Sequence, residues 1–215
     1  MNQYKSLKDY VYNYISEKIT EGSIVPNEKI NEHLICEELE ISRTPVREAL
    51  IQLATEGYLD NIPRRGFRVR PIDETKAMEL YMIIGTLESL ACSLAMDHIT
   101  IKEINDMKTL HDNMDKAITD SLYDVYFKLQ SEFHDVFINI CNSEELIRLL
   151  NQLKRSFMRQ SYTNKETESI REVFKKTNSE HKIIIELFEQ KDKENLVNFI
   201  KDVHWNIKNA KFDSI

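Results

Sequence analysis

The chain has few of the residues that interrupt helices or cross-link a fold. Its 215 residues include four glycines, four prolines and three cysteines. After Pro71 there is no further proline and a single glycine, Gly85, which predicts almost continuous helix over that part. An odd number of cysteines without a CxxC spacing argues against a disulfide framework, a zinc finger or a redox pair.

Long apolar runs are also missing. The most apolar segment, from about Asp73 to Met96, contains Glu79 and Glu88 and keeps a helical polarity pattern. It therefore predicts a buried or interface helix and no membrane span. The chain opens without an apolar signal segment, so we expect a cytoplasmic protein.

Positive charge is scarce overall but concentrated in one region. The formal net charge is −7, which excludes a uniformly basic protein that coats nucleic acid. Yet six of the ten arginines lie between Arg43 and Arg70, and residues 61–70 hold four arginines and no acidic residue. Such clustering is the electrostatic footprint of phosphate binding.

Residues 42–53 have the pattern of a short helix that presents cations. Apolar side chains recur at helical spacing and form one face: Val46, Ala49, Leu50 and Leu53. Arg43 and Arg47 lie four residues apart on a different face. The guanidinium fork donates two parallel hydrogen bonds to guanine N7 and O6, or to phosphate oxygens. The alternative is that both arginines belong to an ordinary solvated helix face.

The neighbouring segments complete a DNA-binding module. Apolar periodicity predicts one helix over residues 7–21 and a second one, capped by Asn31, whose inward residues are Leu34, Ile35 and Leu39. Strand-like runs at 58–62 and 67–69 flank the turn 63–66, which predicts a hairpin. Three helices followed by a hairpin form a winged helix-turn-helix.

The run Ile41-Ser42-Arg43-Thr44-Pro45-Val46-Arg47-Glu48-Ala49-Leu50 and the wing Arg64-Arg65-Gly66-Phe67-Arg68-Val69-Arg70-Pro71 resemble the signature of GntR-type transcriptional regulators, over roughly residues 5–72. The resemblance implies that the helix residues contact bases and phosphates and that the wing tip enters the adjacent minor groove of double-stranded DNA. With the arginine cluster, the candidate DNA-binding residues are Arg43, Thr44, Arg47, Arg64, Arg65, Gly66 and Arg68.

The remaining two thirds of the chain predict a second, all-α domain. We expect a winged helix-turn-helix over residues 1–71 and a helical bundle over residues 72–215, so that the fold class is mainly α. About six helices are predicted after the boundary: 73–96, 101–118, 121–141, 143–160, 167–190 and 192–211. The first has a broad apolar stripe that we expect to be buried: Leu80, Ile83, Ile84, Leu87, Leu90, Ala91 and Leu94.

Three histidines on three different helices of this domain are candidate metal ligands. His134, His181 and His204 each follow or precede apolar residues that should face the bundle interior. Inward imidazoles from three helices can meet around a divalent metal such as zinc. The alternative is that each histidine makes its own hydrogen bond or faces solvent.

The helical part resembles the ligand-binding domain of the FadR-type subfamily, called FCD. The resemblance implies a metal held by an Asp-x-x-x-His pair and by one histidine on each of the last two helices, and a small carboxylate effector held with it. The three histidines match, but Gln130 stands where the aspartate is expected. An amide is a weaker ligand than a carboxylate, although three imidazoles can still hold zinc or nickel.

Two arginines of the helical domain are candidates for binding the anionic group of the effector. Arg155 and Arg159 on the fourth helix can reach an anion if their face points inward, and solvent is the alternative. Many FCD relatives have an arginine about four residues before the Leu-Glu pair of the first helix. Here Leu87-Glu88 follows Ile83, Ile84 and Gly85.

We therefore expect a homodimeric transcriptional regulator, a repressor that binds an inverted-repeat operator under control of an effector, and no enzyme. Two alternatives remain. The first is an architectural DNA-binding protein, which needs no effector. An HD-type phosphohydrolase would use the His134-Asp135 dipeptide with His111 and Asp192, but it leaves the winged helix unexplained and no glycine-rich phosphate loop accompanies it.

Overall fold

The computed structural model of the chain describes residues 6–20, 23–71, 73–157 and 167–212. The chain divides into two compact units, one that extends to Asp73 and one that begins at Glu74. Each unit has its own apolar core, and each is described by itself below.

The first unit begins with α1 (Leu7–Thr20), α2 (Glu32–Leu39) and α3 (Arg43–Thr55). They share one core, built from Val11, Ile15, Ile19, Ile35, Val46, Leu50 and Leu53. Asn31 caps α2 as predicted, because its side chain accepts hydrogen bonds from the backbone N–H groups of His33 and Leu34. The prediction that Leu34 faces inward is wrong, since its side chain is 48% exposed. On this two-turn helix Ile35 occupies the buried face, and Leu34 lies on the neighbouring one.

The wing is an antiparallel hairpin of β1 (Leu59–Ile62) and β2 (Gly66–Val69). Gly66 has a φ of 88°, a backbone conformation that glycine adopts without strain. On the outer edge of β2, the Ile30 N–H donates to the Phe67 carbonyl and the Val69 N–H donates to the Glu28 carbonyl. These bonds tie the wing to the segment just before α2, so the wing and the start of α2 belong to one surface.

The second unit is helical throughout its described residues. Its α-helices are α4 (Glu74–Ala95), α5 (Ile101–Thr119), α6 (Tyr123–Asn139), α7 (Glu144–Phe157), α8 (Thr167–Glu189) and α9 (Lys193–Asn198). Thr100 begins α5 with a capping box in which Glu103 is the reciprocal partner. Large aromatic side chains fill the core: Tyr126, Phe133, Phe137 and Phe188.

The last predicted helix, 192–211, is not a single α-helix. Its α-helical part ends at Asn198, and a π-helical segment, Phe199–His204, and a 3-10 segment, Ile207–Phe212, follow. The wide turn leaves both His204 and Trp205 buried. Trp205 packs so closely on α4 that a Cβ at Gly85 would lie 2.6 Å from its Cβ. This packing comes from distant parts of the chain, and local apolar spacing does not encode it.

Helix α4 has two different faces. Leu80, Ile84 and Ala91 are buried as predicted, but Ile83 and Leu90 are 40% and 49% exposed, so the predicted stripe is only half buried. By length and composition α4 is also the one helix among the described residues that could cross a membrane, and half of its apolar window is buried inside the protein. A helix that faces a packed core on one side passes the same test.

Candidate nucleic-acid interface and metal centre

A groove of about 670 Å³ lies between the start of α2, helix α3 and the wing. Arg43 and Arg47 line it from α3, and their side chains are 68% and 57% exposed. Arg64, Arg65 and Gly66 line it from the wing turn. The structure thus brings the arginines of two separate elements to one concave surface. Guanidinium groups on both sides suit a polyanion that lies in the groove.

Two of the predicted DNA-binding residues lie apart from the lining of this groove. Thr44 is exposed in the first turn of α3. Arg68 is half-buried on β2, opposite Asp60 in the hairpin register. Its neighbour Arg70 donates to an Asp60 carboxylate oxygen at 2.7 Å. The arginine cluster of the sequence is therefore divided between groove residues and residues on the strand of the wing.

The second unit brings three imidazoles together in its interior. His134 comes from α6, His181 from α8 and His204 from the end of the π-helical segment, and all three are at least 93% buried. One ring nitrogen of each lies within 4.8 Å of the corresponding nitrogens of the other two. The Nε2 atoms of His134 and His204 are 3.2 Å apart.

The opposite nitrogen of each ring has a hydrogen-bond acceptor. His134 Nδ1 lies 2.8 Å from Glu88 Oε2, and His204 Nδ1 lies 3.0 Å from Glu180 Oε2. A carboxylate only accepts when it is ionised, so both histidines carry their proton on Nδ1. These bonds hold the two rings and direct their Nε2 atoms toward each other.

His181 is oriented by an amide. Its Nδ1 lies 3.2 Å from Asn178 Oδ1. The Asn178 nitrogen donates to Asp115 Oδ1 at 2.6 Å and to the His111 carbonyl, which fixes the orientation of the amide. The oxygen must therefore face His181, and His181 also carries its proton on Nδ1.

The result is that one nitrogen of each ring faces the same small space. His181 Nε2 has no hydrogen-bond partner among the described residues, and the His134 and His204 Nε2 atoms lie within hydrogen-bond distance of each other. A buried polar group without a partner costs about 1–3 kcal/mol. Two imidazole nitrogens that share a zinc ion at ~2.1 Å lie roughly 3.0–3.4 Å apart, which agrees with the observed separation. The donor set therefore fits a divalent cation.

Electrostatics favour the neutral form, which a metal needs, at His134 and His181. Burial lowers the pKa of His181 well below its usual 6.5, and the nearby His204 and His134 lower it further. Burial also lowers the pKa of His134, more than Glu88 raises it. Burial alone would raise the pKa of Glu88, but its interactions with His134, with Lys154 and with the Trp205 N–H lower the pKa to about 2.

The remaining candidates differ in what the structure says of them. Gln130 is half-buried on α6, one turn before His134. The side chain of Arg155 and the whole of Arg159 lie outside the described residues. Two aspartates would be metal ligands in the phosphohydrolase alternative. Asp135 accepts a hydrogen bond from Lys154, and Asp192 caps α9. Neither aspartate joins the three histidines.

Sequence reasoning missed the three residues that orient the imidazoles: Glu88, Asn178 and Glu180. Glu180 directly precedes His181 in the sequence, but its carboxylate accepts a hydrogen bond from His204. Glu88 is the fully buried acid of an apolar helix. A buried carboxylate needs a partner. An acid within so apolar a helix was therefore the sequence signal for such a partner.

A winged helix-turn-helix followed by a helical domain with three converging histidines is the architecture of a class of two-domain transcription regulators. Residues 7–69 match the model of "Bacterial regulatory proteins, gntR family", and residues 79–203 match the "FCD domain". The chain belongs to the GntR family and carries an FCD domain. The family consists of regulators and not of enzymes, so the phosphohydrolase alternative is wrong.

Relatives agree with this assignment. The chain is 33% identical over 128 residues to the Nta operon transcriptional regulator of Aminobacter aminovorans, with 60% of each chain covered. It is 29% identical over 143 residues to the HTH-type regulator YdhC of Bacillus subtilis, with 66% of this chain and 64% of that one covered. The matched part thus spans less than two thirds of these relatives. E. coli McbR/YncC has the same fold, with a TM-score of 0.82 at 21% identity over 97% of this chain and 98% of that one.

Proposed function

We propose that the protein is a cytoplasmic, homodimeric transcriptional repressor that binds an inverted-repeat operator. A carboxylate effector, which binds at a metal ion, controls its binding to that operator. In this proposal residues 1–71 read the DNA and residues 72–215 bind the effector and the second subunit. The observation that carries it is the convergence of one ring nitrogen from each of His134, His181 and His204 in the interior of the second unit.

DNA binding is assigned to the groove of the first unit and to its wing. The residues proposed to contact DNA are Arg43, Thr44, Arg47, Arg64, Arg65, Gly66 and Arg68. Arginines on α3 are placed for base edges in the major groove, and those of the wing turn for phosphates and the adjacent minor groove. One such module makes few base contacts, so two copies on two half-sites are needed for useful specificity.

The exposed face of α4 supports the homodimer. Met78, Met82, Ile83, Leu90 and Leu94 are each 36–58% exposed and follow one another at intervals of four, one, seven and four residues, so they lie on one side of the helix as an apolar stripe. A stripe of this kind on a soluble protein marks an association surface. A second copy of the same stripe is its self-complementary partner in a two-fold dimer.

The metal centre is assigned to His134, His181 and His204, with Gln130 as a neutral fourth candidate. Zinc or nickel suits three imidazoles. When bound, the ion offers open positions at which a carboxylate can coordinate. Glu88, Asn178 and Glu180 hold the imidazoles in the ligating orientation, and the aromatic core excludes bulk water.

The effector remains the least specified part of the proposal. A carboxylate that reaches the centre would meet neutral imidazoles and the Gln130 amide. Arg155 and Arg159 stay candidates for its anionic end. Effector binding changes the affinity for the operator only if the effector binds with different affinities to the two arrangements of the DNA-binding units, one that fits the operator and one that does not.

The test combines metal content with operator binding. We would purify the tag-free protein without chelator and measure bound metals by mass spectrometry, beside His181→Ala and the surface control His98→Ala. We expect near-stoichiometric zinc or nickel in the parent and in the control, and its loss in His181→Ala. Metal-free protein that stays so after incubation with both ions would refute the metal centre. Binding to DNA that no carboxylate changes would favour an architectural role.

A further inference from the structure

The carboxylate of Glu32 lies inside the otherwise cationic groove of the first unit. Its Oε2 is 3.9 Å from Arg43 Nε and 3.9 Å from Arg47 Nε. The Glu32 side chain is only 18% exposed, whereas both arginines are more than half exposed. One acid thus lies beside the Nε atoms of both arginines of α3, whose side chains are otherwise largely exposed to solvent.

Glu32 is also close to the wing. A Cβ at Gly66 would lie 4.0 Å from Glu32 Oε1 and 3.9 Å from Lys29 Cε. The backbone bonds between β2 and the segment that precedes α2 hold this arrangement. The carboxylate therefore stands where the helix arginines and the wing turn meet.

A negative charge in this position weakens the attraction to phosphates, so affinity alone does not explain it. As an acid in the first turn of α2, Glu32 interacts favourably with the helix dipole, but any acid of that turn does so without reaching the arginines. Its distance to both Nε atoms leaves the Nη groups free for bidentate hydrogen bonds. An arginine that is oriented in advance loses less conformational entropy when it binds a base.

We propose that Glu32 is a specificity-determining residue: it orients Arg43 and Arg47 for base edges and opposes their capture by phosphates. On a correct operator the arginines bind their bases, and the orientation is an advantage. On other sequences the arginines find no matching base, and the carboxylate repels the backbone that they would otherwise hold. This inference rests on the DNA binding proposed above and is independent of the metal centre.

The experiment uses the full-length protein, Glu32→Gln, Glu32→Asp and the matched control Glu37→Gln. Glu37 is an exposed acid of the same helix that pairs with His33. Each protein selects duplexes from a random library. The Kd for the duplex that the parent selects and for a scrambled duplex is then measured at several salt concentrations.

We expect Glu32→Gln to bind the scrambled duplex more tightly and the selected duplex no better, so that the ratio of the two Kd values falls by about tenfold, or ~1.4 kcal/mol. Its log Kd should depend more steeply on log salt, by up to about 0.9 per charge. Glu32→Asp keeps the charge at the helix start but shortens the reach. It should lose selectivity with an unchanged salt slope.

Control and parent should behave alike, and thermal melting should show all four proteins folded. A Glu32→Gln variant with the Kd ratio and selected sequence of the parent would overturn the role of Glu32 alone. No enrichment by the parent itself would overturn the DNA-binding proposal and this inference with it.

Discussion

The indole N–H of Trp205 donates to Glu88 Oε2 at 2.7 Å, across 117 residues of sequence. The same oxygen accepts the Nδ1 proton of His134 at 2.8 Å. One carboxylate on α4 therefore joins α6 to the segment that carries His204. Trp205 is the single tryptophan of the chain, so its fluorescence reports directly on the histidine centre.

Replacement of Glu88 by glutamine should weaken metal binding. The amide oxygen can still accept from His134 and Trp205, but the negative charge behind the imidazole is lost. Changes of this kind typically cost 10–100-fold in metal affinity. Titration of metal-free protein with zinc, followed by Trp205 fluorescence, measures the effect. Glu172→Gln, at an exposed acid of α8 that pairs with Lys175, is the control, and equal affinities for both variants would contradict the assigned role of Glu88.

Metal-free protein should lose stability on mild acidification. Burial lowers the pKa of His181 and His134 in the folded state, so the unfolded chain binds more protons as the pH falls below about 6.5. The contribution of the two histidines to the free energy of unfolding is fully present above that pH. It decreases below that pH by up to ~1.4 kcal/mol per pH unit for each histidine. Denaturant unfolding at pH 7.5 and 5.5 tests this. His181→Asn should show a smaller pH effect than His98→Asn, and identical effects in the two variants would disprove the account.

A methyl group at position 85 should disturb the packing of α4 against the C-terminal segment. Gly85→Ala places a Cβ 2.6 Å from Trp205 Cβ, and overpacking costs about 1–3 kcal/mol. This outweighs the ~1 kcal/mol that alanine gains in a helix. The melting temperature should fall and the tryptophan emission should shift. Thr109→Ala, on the exposed side of α5, should do neither; a Gly85→Ala protein as stable as this control would show that the contact relaxes without cost.

Charges placed on the apolar stripe of α4 should separate the subunits. Met82→Glu and Leu90→Glu put carboxylates on the face proposed to pair with a second copy, where they would be buried without partners. Sedimentation should change from a dimer to a monomer, and operator affinity should fall with it. Ile101→Glu is the control, because Ile101 is 79% exposed on a different helix. Dimers that persist in both stripe variants would place the interface elsewhere.

Local patterns predicted the first unit well. The cap at Asn31, the buried stripe of α3 and the hairpin around Gly66 all follow from residues close in sequence. The error at Leu34 has the same origin, since a two-turn helix offers too few residues to define its buried face. Glu32 gave no signal, because its role depends on arginines eleven and fifteen residues away.

The second unit shows where sequence patterns stop being sufficient. The resemblance pointed to His134, His181 and His204, and the structure brings them together. The residues that orient the rings come from other helices or from other turns, so spacing alone did not reveal them. The exposure of Leu90 and the π-helical segment depend on neighbours that are distant along the chain.

The order of the ligands along the chain has a consequence for synthesis. His134 and Glu88 are made long before His204 and Trp205, whose partners lie 70 and 117 residues upstream. A nascent chain therefore cannot close the histidine centre until the π-helical segment has left the ribosome. Contacts of such long range carry a large loop-closure entropy and slow folding. The proposed metal site is thus complete only in chains whose helical domain has been translated through His204, and products truncated before that residue lack one of its three histidines.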